Sequence, residues 1–263
     1  MTVTLRTAST LHGVRAFAYK DLKWVNANKP GIRLLPVRAT RESGNFLGML
    51  SFDTMVNTGV HQHTGPAFSF FMHGGLADYQ GIVQPGEMGI NLAGATHDAI
   101  SIAPTLMMSR LDAPVLYPDD GSSQGEALHT GARGAEIVNT TPEVLPDMNV
   151  PVDKLPWLAT LTGGVQRREI FDYANTALQR RCVQLRLLPG SKLGPLMASD
   201  VIDIYVMGGD MSAGSERAAG GDFMIIDPDV TVTLTTRYGC LAFVWLDGPA
   251  RACETGEPVL AAF

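Results

Sequence analysis

Along this chain apolar residues come in short runs rich in β-branched and aromatic side chains, and Gly, Pro, Asn or Asp interrupts each run before a helical period is established. The pattern predicts an all-β protein. Residues 46–52, 67–72, 89–92, 100–103 and 105–109 read as strands in the first half, and residues 181–188, 201–207, 223–226, 230–235 and 240–245 in the second. The 28 glycines and 16 prolines suit the tight turns that so many short strands require.

With the strands marked, a repeat emerges. Trp24 and Ile32 recur as Trp157 and Val165, in each case 133 residues on (157 − 24 and 165 − 32). The run MHGG at residues 72–75 recurs as VMGG at 206–209, and Gly86 as Gly220, both 134 on (208 − 74 and 220 − 86). Two copies of one barrel follow. They are an N-terminal domain over residues 1–118 and a C-terminal domain over 157–263, joined by a connection over 119–156 rich in Gly, Ser, Thr and Pro.

Candidate chemistry concentrates in the first copy. His61 and His63 stand two apart in VHQHTG, so on an extended strand both imidazoles lie on one face. Such a pair is common by chance, and its surroundings are what raise its interest. Gly59 precedes it, FSFFMHGG follows at residues 68–75, and Pro85-Gly86 leads to His97 across about a strand's length. A third imidazole from a neighbouring strand would complete a facial set of three nitrogens with positions open to a substrate, the arrangement of an enzyme rather than of a closed structural site. At an offset of 134 the second copy holds Pro195, Met197 and Thr231 in place of the three histidines, and no histidine follows His129. That copy reads as a structural partner or a dimerisation surface, with Asp200 and Asp203 as its remaining polar candidates.

These features resemble the cupin fold, whose first motif is a glycine, HxH, a short strand and a closing glycine, and whose second is PG, a strand and a histidine. The resemblance spans about residues 24–118. It is to small cupin dioxygenases, such as acetylacetone dioxygenase and 2,4'-dihydroxyacetophenone dioxygenase, and to the cupin domain of anti-sigma factors. It implies two tandem jelly-roll barrels (double-stranded β-helices), the second degenerate. It also implies one mononuclear divalent metal held by His61, His63 and His97, with Fe(II) first and Ni, Mn or Zn behind it. Most cupins carry a glutamate shortly after HxH, and here Ala67 and Phe68 stand there. Three neutral ligands leave the charge of an ion uncompensated, which favours an enolate or another oxygen-chelating anion. Asp78, near the following strand, is a candidate fourth ligand. The chemistry implied is O2-dependent cleavage of a C–C bond in a small diketone or hydroxy ketone. A redox-neutral metal-dependent isomerase, lyase or polyketide cyclase stays open, as does a non-enzymatic metal or ligand sensor, although no helical partner-binding stretch is legible beside the barrels.

The first copy is rich in methionine, which adapts to irregular and planar ligands. Phe68, Phe70, Met72, Met49 and Met107 are the candidate walls of an apolar substrate pocket. Arg110 and Tyr117, at the ends of the last strands, are candidates to meet an oxygen anion. His73 and His129 are lesser candidates, and His12 reads as a surface residue.

Composition narrows the partners. With 45% hydrophobic residues, 17% charged residues and a net charge of −6, the chain reads as a globular protein that does not bind nucleic acid. Sparse charge leaves room for subunit contact, so a homodimer or higher homo-oligomer is expected. No apolar run approaches the roughly 20 residues that span a bilayer, and the opening residues lack the apolar core of a signal peptide. Cys182, Cys240 and Cys253 stand far apart without a CxxC partner, so reduced thiols and a cytoplasmic location are expected. Neither a GxSxG nucleophile turn nor a GK[ST] phosphate loop occurs.

Overall fold

The computed structural model describes residues 13–27, 29–40, 43–78, 81–117, 147–172 and 180–253. His12, His129 and residues 119–146 of the connection lie outside them. The described residues form strands and two short 3-10 turns, Tyr19–Asp21 and Val152–Lys154. Among them no helix is long and apolar enough to cross a membrane. The chain divides into two compact units, one Leu22–Asp153, the other Met1–Asp21 with Lys154–Phe263.

In the unit Leu22–Asp153, seven antiparallel strands run in the order Asp147–Pro151, Glu87–Asn91, Ala67–His73, Thr105–Leu111, Phe46–Phe52, Ile32–Ala39 and Val25–Asn26. Two three-stranded antiparallel sheets complete it. One joins Thr96–His97, His61–His63 and Val115–Leu116, and the other Ile100–Ser101, Leu76–Asp78 and Gly81–Val83. Alternate residues of the long strands, among them Phe46, Leu50, Phe71, Met107 and Leu111, meet in one apolar cluster inside the curled sheets. Each such side chain contributes about 1.5–3 kcal/mol on burial. The strand Ile32–Ala39 escapes a reading by alternation because Arg33, Pro36 and Arg38 interrupt it. Pro36 is accommodated where the ladder to Phe46–Phe52 slips, between Pro36 and Arg38. A bulge of this kind tolerates a residue with no N–H.

The other unit is built on a sheet in the order Leu158–Ala159, Val165–Asp172, Arg181–Leu187, Cys240–Leu246, Ile202–Ala213, Val232–Thr235, Lys192–Ala198 and Ala250–Ala252. Its interior is closed by aliphatic side chains. Val183, Leu185, Leu196, Ile204, Leu234 and Val244 are each at most 1% exposed.

Ladder register shows the two units to be one design used twice. Phe46–Phe52 pairs with Thr105–Leu111 as Arg181–Leu187 pairs with Cys240–Leu246, each member 135 residues on (181 − 46 and 240 − 105). Val14–Phe17 pairs with Phe223–Ile226 in one unit as Asp147–Pro151 pairs with Glu87–Asn91 in the other. Val14 opposes Ile226 and Asp147 opposes Asn91, so the paired strands lie 133 apart (147 − 14) and their partners 135 apart (226 − 91). The strand preceding each copy therefore completes the sheet of the other copy. The division expected at residues 1–118 and 157–263 differs from this in both directions, since Val14–Phe17 belongs with the C-terminal unit and Asp147–Pro151 with the N-terminal one. A repeat in sequence suggests contiguous copies. An exchanged edge strand leaves the hydrophobic period unchanged and so goes unseen.

Candidate metal centre

The site starts from a glycine. Gly59 has a φ of +78°, a left-handed conformation that costs glycine little, and its N–H donates to Asp98 Oδ1 at 3.0 Å. Its carbonyl accepts from His61 Nδ1 at 2.8 Å. A carbonyl oxygen only accepts, so this partner assigns the proton to Nδ1 and leaves a lone pair on Nε2. His61 and His63 occupy the same face of the strand His61–His63 and are each 6% exposed. Gln62, between them, donates to Gly94 O at 3.3 Å and Thr96 Oγ1 at 3.0 Å.

Thr96–His97 pairs with this strand and sets His97 directly opposite His61. Opposite residues on one face of an antiparallel pair come within side-chain contact. His97 Nε2 lies 3.1 Å from His61 Nε2 and 3.2 Å from His63 Nε2. On the far side of its ring, His97 Nδ1 donates to Asp78 Oδ2 at 3.0 Å. Asp78, the candidate fourth ligand, thus stands behind His97 and not beside the three nitrogens. Its strand pairs with Ile100–Ser101, which follows His97 in the chain, and so approaches the ring from behind.

The spacing fits a metal. An ion about 2.1 Å from each of two imidazole nitrogens at a right angle holds them about 3 Å apart. Among the described residues, His61, His63 and His97 form the group able to share an ion, with ligand atoms within 4.8 Å of one another.

The imidazoles open into a cavity of about 130 Å³. A cavity of about 150 Å³ can hold benzene, so this one suits a small molecule. Leu50, Phe52, Phe71, Leu76, Met107 and Val115 give it apolar walls. Of the five expected wall residues only Met107 lines it, while Phe68, Phe70, Met72 and Met49 do not. The inward residues of Ala67–His73 are Ala67, Ser69 and Phe71. Phe68 is 1% exposed and Met49 3%, so these strands are buried on both faces and alternation cannot tell inside from outside.

Tyr117 does line the cavity, with its ring centroid 5.6 Å from that of His61. Burial, with the charge of Asp98 adding, pushes its hydroxyl up to about 12, so it remains a hydrogen-bond donor at neutral pH. Arg110 is buried against Asp112 at 3.0 Å and takes no part in the lining. His73 is exposed at the end of its strand, and Asp200 and Asp203 lie in the other unit. Sequence reasoning missed Ser69, Asn91 and Asn149, which also line the cavity. Ser69 and Asn91 were legible as polar residues within apolar runs; Asn149, in the exchanged strand, had no such signal.

The second unit shows what the fold does without the site. Strand register places Leu196, Ala198, Val232 and Ala213 where His61, His63, His97 and Asp78 stand, each 135 on (196 − 61, 198 − 63, 232 − 97 and 213 − 78). All four belong to the apolar core, at 0%, 3%, 5% and 1% exposed. This corrects the offset of 134, which pointed to Pro195, Met197 and Thr231. The offset changes from 133 to 135 between the first strands and the site, so no single value aligns the copies.

Comparison with known proteins follows the geometry. Residues 13–113 match the family described as the ChrR cupin-like domain. A search of curated proteins found no match. Among solved structures, a candidate dioxygenase from Nostoc punctiforme is similar at a TM-score of 0.67 and 12% identity, over 90% of this chain and 83% of that one. A structure of oxalate decarboxylase is similar at 0.62 and 11%, over 94% and 81%. Oxalate decarboxylase from Bacillus subtilis at pH 4.6 gives 0.59 and 10%, over 94% and 80%. At these identities the likeness concerns the fold, and it extends over both units. Residues 13–113 thus match a ChrR cupin-like domain, and the strands of both units share the fold of the candidate dioxygenase and oxalate decarboxylase structures.

Proposed function

We propose that His61, His63 and His97 hold one divalent metal, Fe(II) ahead of Mn, Ni and Zn, in a dioxygenase that cleaves a C–C bond of a small diketone or hydroxy ketone. One observation carries the reading. His61 and His97 commit their Nδ1 protons outward, to Gly59 O and Asp78, so their Nε2 lone pairs face each other at 3.1 Å. Two lone pairs at that distance repel unless a proton or a metal ion lies between them. The Leu, Ala and Val at the equivalent positions of the second unit show that the barrel does not need imidazoles to fold.

A divalent ion there supplies the Lewis-acid charge that favours a chelating enolate. The protein's own residues do the rest. Gly59 and Asp78 fix the orientation of two rings, and the apolar walls keep water from the reacting carbons. Tyr117 is placed to donate to a substrate oxygen. Ala67 lines the cavity where most cupins have a glutamate, so no carboxylate there competes with an anionic substrate.

A redox-neutral reaction at the same imidazoles is the second reading. It is favoured by the likeness to oxalate decarboxylase, one structure of which is described through its Mn(II) centres. A metal or ligand sensor is the third, favoured by the ChrR-like match. Metal analysis of freshly purified protein, followed by oxygen uptake against diketones and hydroxy ketones, separates them. Stoichiometric uptake supports the dioxygenase, and turnover without uptake supports the second reading. Metal retained by His97→Ala as tightly as by the wild type would overturn the site itself.

A further inference from the structure

The cavity has a second polar region, on a different sheet from the imidazoles. In the seven-stranded sheet Ser109 opposes Ser69, Ser69 opposes Gly89, and Gly89 opposes Asn149, a row of small residues across four neighbouring strands. Asn91 stands beside it, opposite Ala67. Ser69, Asn91 and Asn149 all line the cavity. The same row in the second unit reads Val244, Ile204, Met224 and Ala16, with Ile226 in the place of Asn91. Val244, Ile204 and Met224 are 0% exposed and Ile226 1%, in a core with Ala16 packed against it. One architecture thus carries Val244, Ile204 and Ile226 in one copy where the other carries Ser109, Ser69 and Asn91, and Ala16 where the other carries Asn149. The barrel demands neither hydroxyls nor amides at these positions, where Ser69 and Asn91 are half-buried and Asn149 is exposed at the cavity's edge.

Given the metal-dependent reading above, we infer that Ser69, Asn91 and Asn149 anchor the far end of the substrate through a neutral hydrogen-bonding group. The substrate is then bifunctional, with an oxygen-chelating head at the imidazoles and a hydroxyl or carbonyl tail at this row. Ser69 Oγ lies 2.8 Å from Ser109 Oγ; with Ser109 as donor, Ser69 keeps its hydroxyl hydrogen for the cavity, and with Ser69 as donor its oxygen can still accept. The tail is neutral because, among the described residues, no Lys or Arg lines the cavity and its one carboxylate is Asp78. A second carboxylate on the ligand would be buried without a counter-charge. This sets the cavity apart from one built for a dicarboxylate.

The test uses full-length protein loaded with Zn(II) under argon, so that binding is read without turnover. Titration calorimetry would compare pentane-2,4-dione through octane-2,4-dione, each with and without a terminal hydroxyl, and oxalate. At the matching chain length the hydroxyl should tighten binding about tenfold, the effect of a well-made buried hydrogen bond. Ser69→Ala with Asn149→Ala should cut that preference to about twofold, read as the ratio of hydroxylated to plain diketone affinity in the same variant. Ser69→Thr, which keeps the hydroxyl at a position where the other copy carries Ile204, should preserve it. No hydroxyl preference at any length, or one that survives the double variant, overturns the inference and leaves the metal reading standing. Oxalate binding more tightly than every diketone overturns the neutral tail. Failure of all diketones to bind, or binding that ignores removal of the zinc, overturns the metal reading and this inference with it.

Discussion

Asp78 illustrates how a side chain's role turns on which ring atom it meets. Its carboxylate receives His97 Nδ1 at 3.0 Å, on the side of the ring away from the other imidazoles. In Asp78→Asn the amide oxygen can still accept from Nδ1, but without charge. Metal should remain bound, with affinity reduced about tenfold in competition with a chelator. Complete loss of metal in that variant would make Asp78 a ligand after all. The positions after the HxH pair call for a paired experiment, because Ala67 faces the cavity and Phe68 does not. Ala67→Glu should keep the metal and raise KM for a diketone, since an added negative charge weakens the field felt by an enolate. Phe68→Glu, at a side chain 1% exposed, buries a carboxylate in an apolar setting and should destabilise the fold by about 3 kcal/mol or more, read from a urea midpoint. A folded Phe68→Glu protein with raised KM would mean that the strand register is the reverse of the one seen.

The element on which the site most depends outside its own copy is the strand Asp147–Pro151. It covers the edge of Glu87–Asn91 and brings Asn149 to the cavity. An uncovered edge offers unpaired N–H and C=O groups to other chains. A fragment ending at residue 118 should therefore aggregate, whereas Leu22–Asp153, which keeps the strand, should be better folded and more soluble by size exclusion and circular dichroism. Equal behaviour of the two fragments would show that the exchanged strand contributes nothing. The hydrophobic pattern located ten of the 24 strands among the described residues, including 46–52 and 223–226 at their observed limits, because they bury large apolar side chains. It passed over Ile32–Ala39 and Val165–Asp172, whose runs carry Arg33, Arg38, Arg167 and Arg168. Those strands form because a neighbour supplies their hydrogen-bond partners, which a hydrophobic pattern does not record.

Taken whole, the molecule pairs a hollow barrel with a filled one, and that contrast has a measurable consequence. Leu196, 0% exposed, is packed on all sides, so Leu196→Ala should cost about 4 kcal/mol by leaving a cavity that cannot relax. Leu50 already borders open space in the other unit, and Leu50→Ala should cost about 2 kcal/mol, both read from denaturant midpoints. Equal costs would mean that the first barrel is as well filled as the second. The class of fold, the twofold repeat and the three histidines were all readable from the chain, because each rests on local period or on residue type. Three things were not: the exchange of edge strands, the choice of Ser69 and Phe71 over Phe68 and Phe70 as cavity walls, and the place of Asp78 behind His97. Each depends on which backbone lies beside which and on which of two buried faces turns inward, and those are relations between residues far apart in sequence.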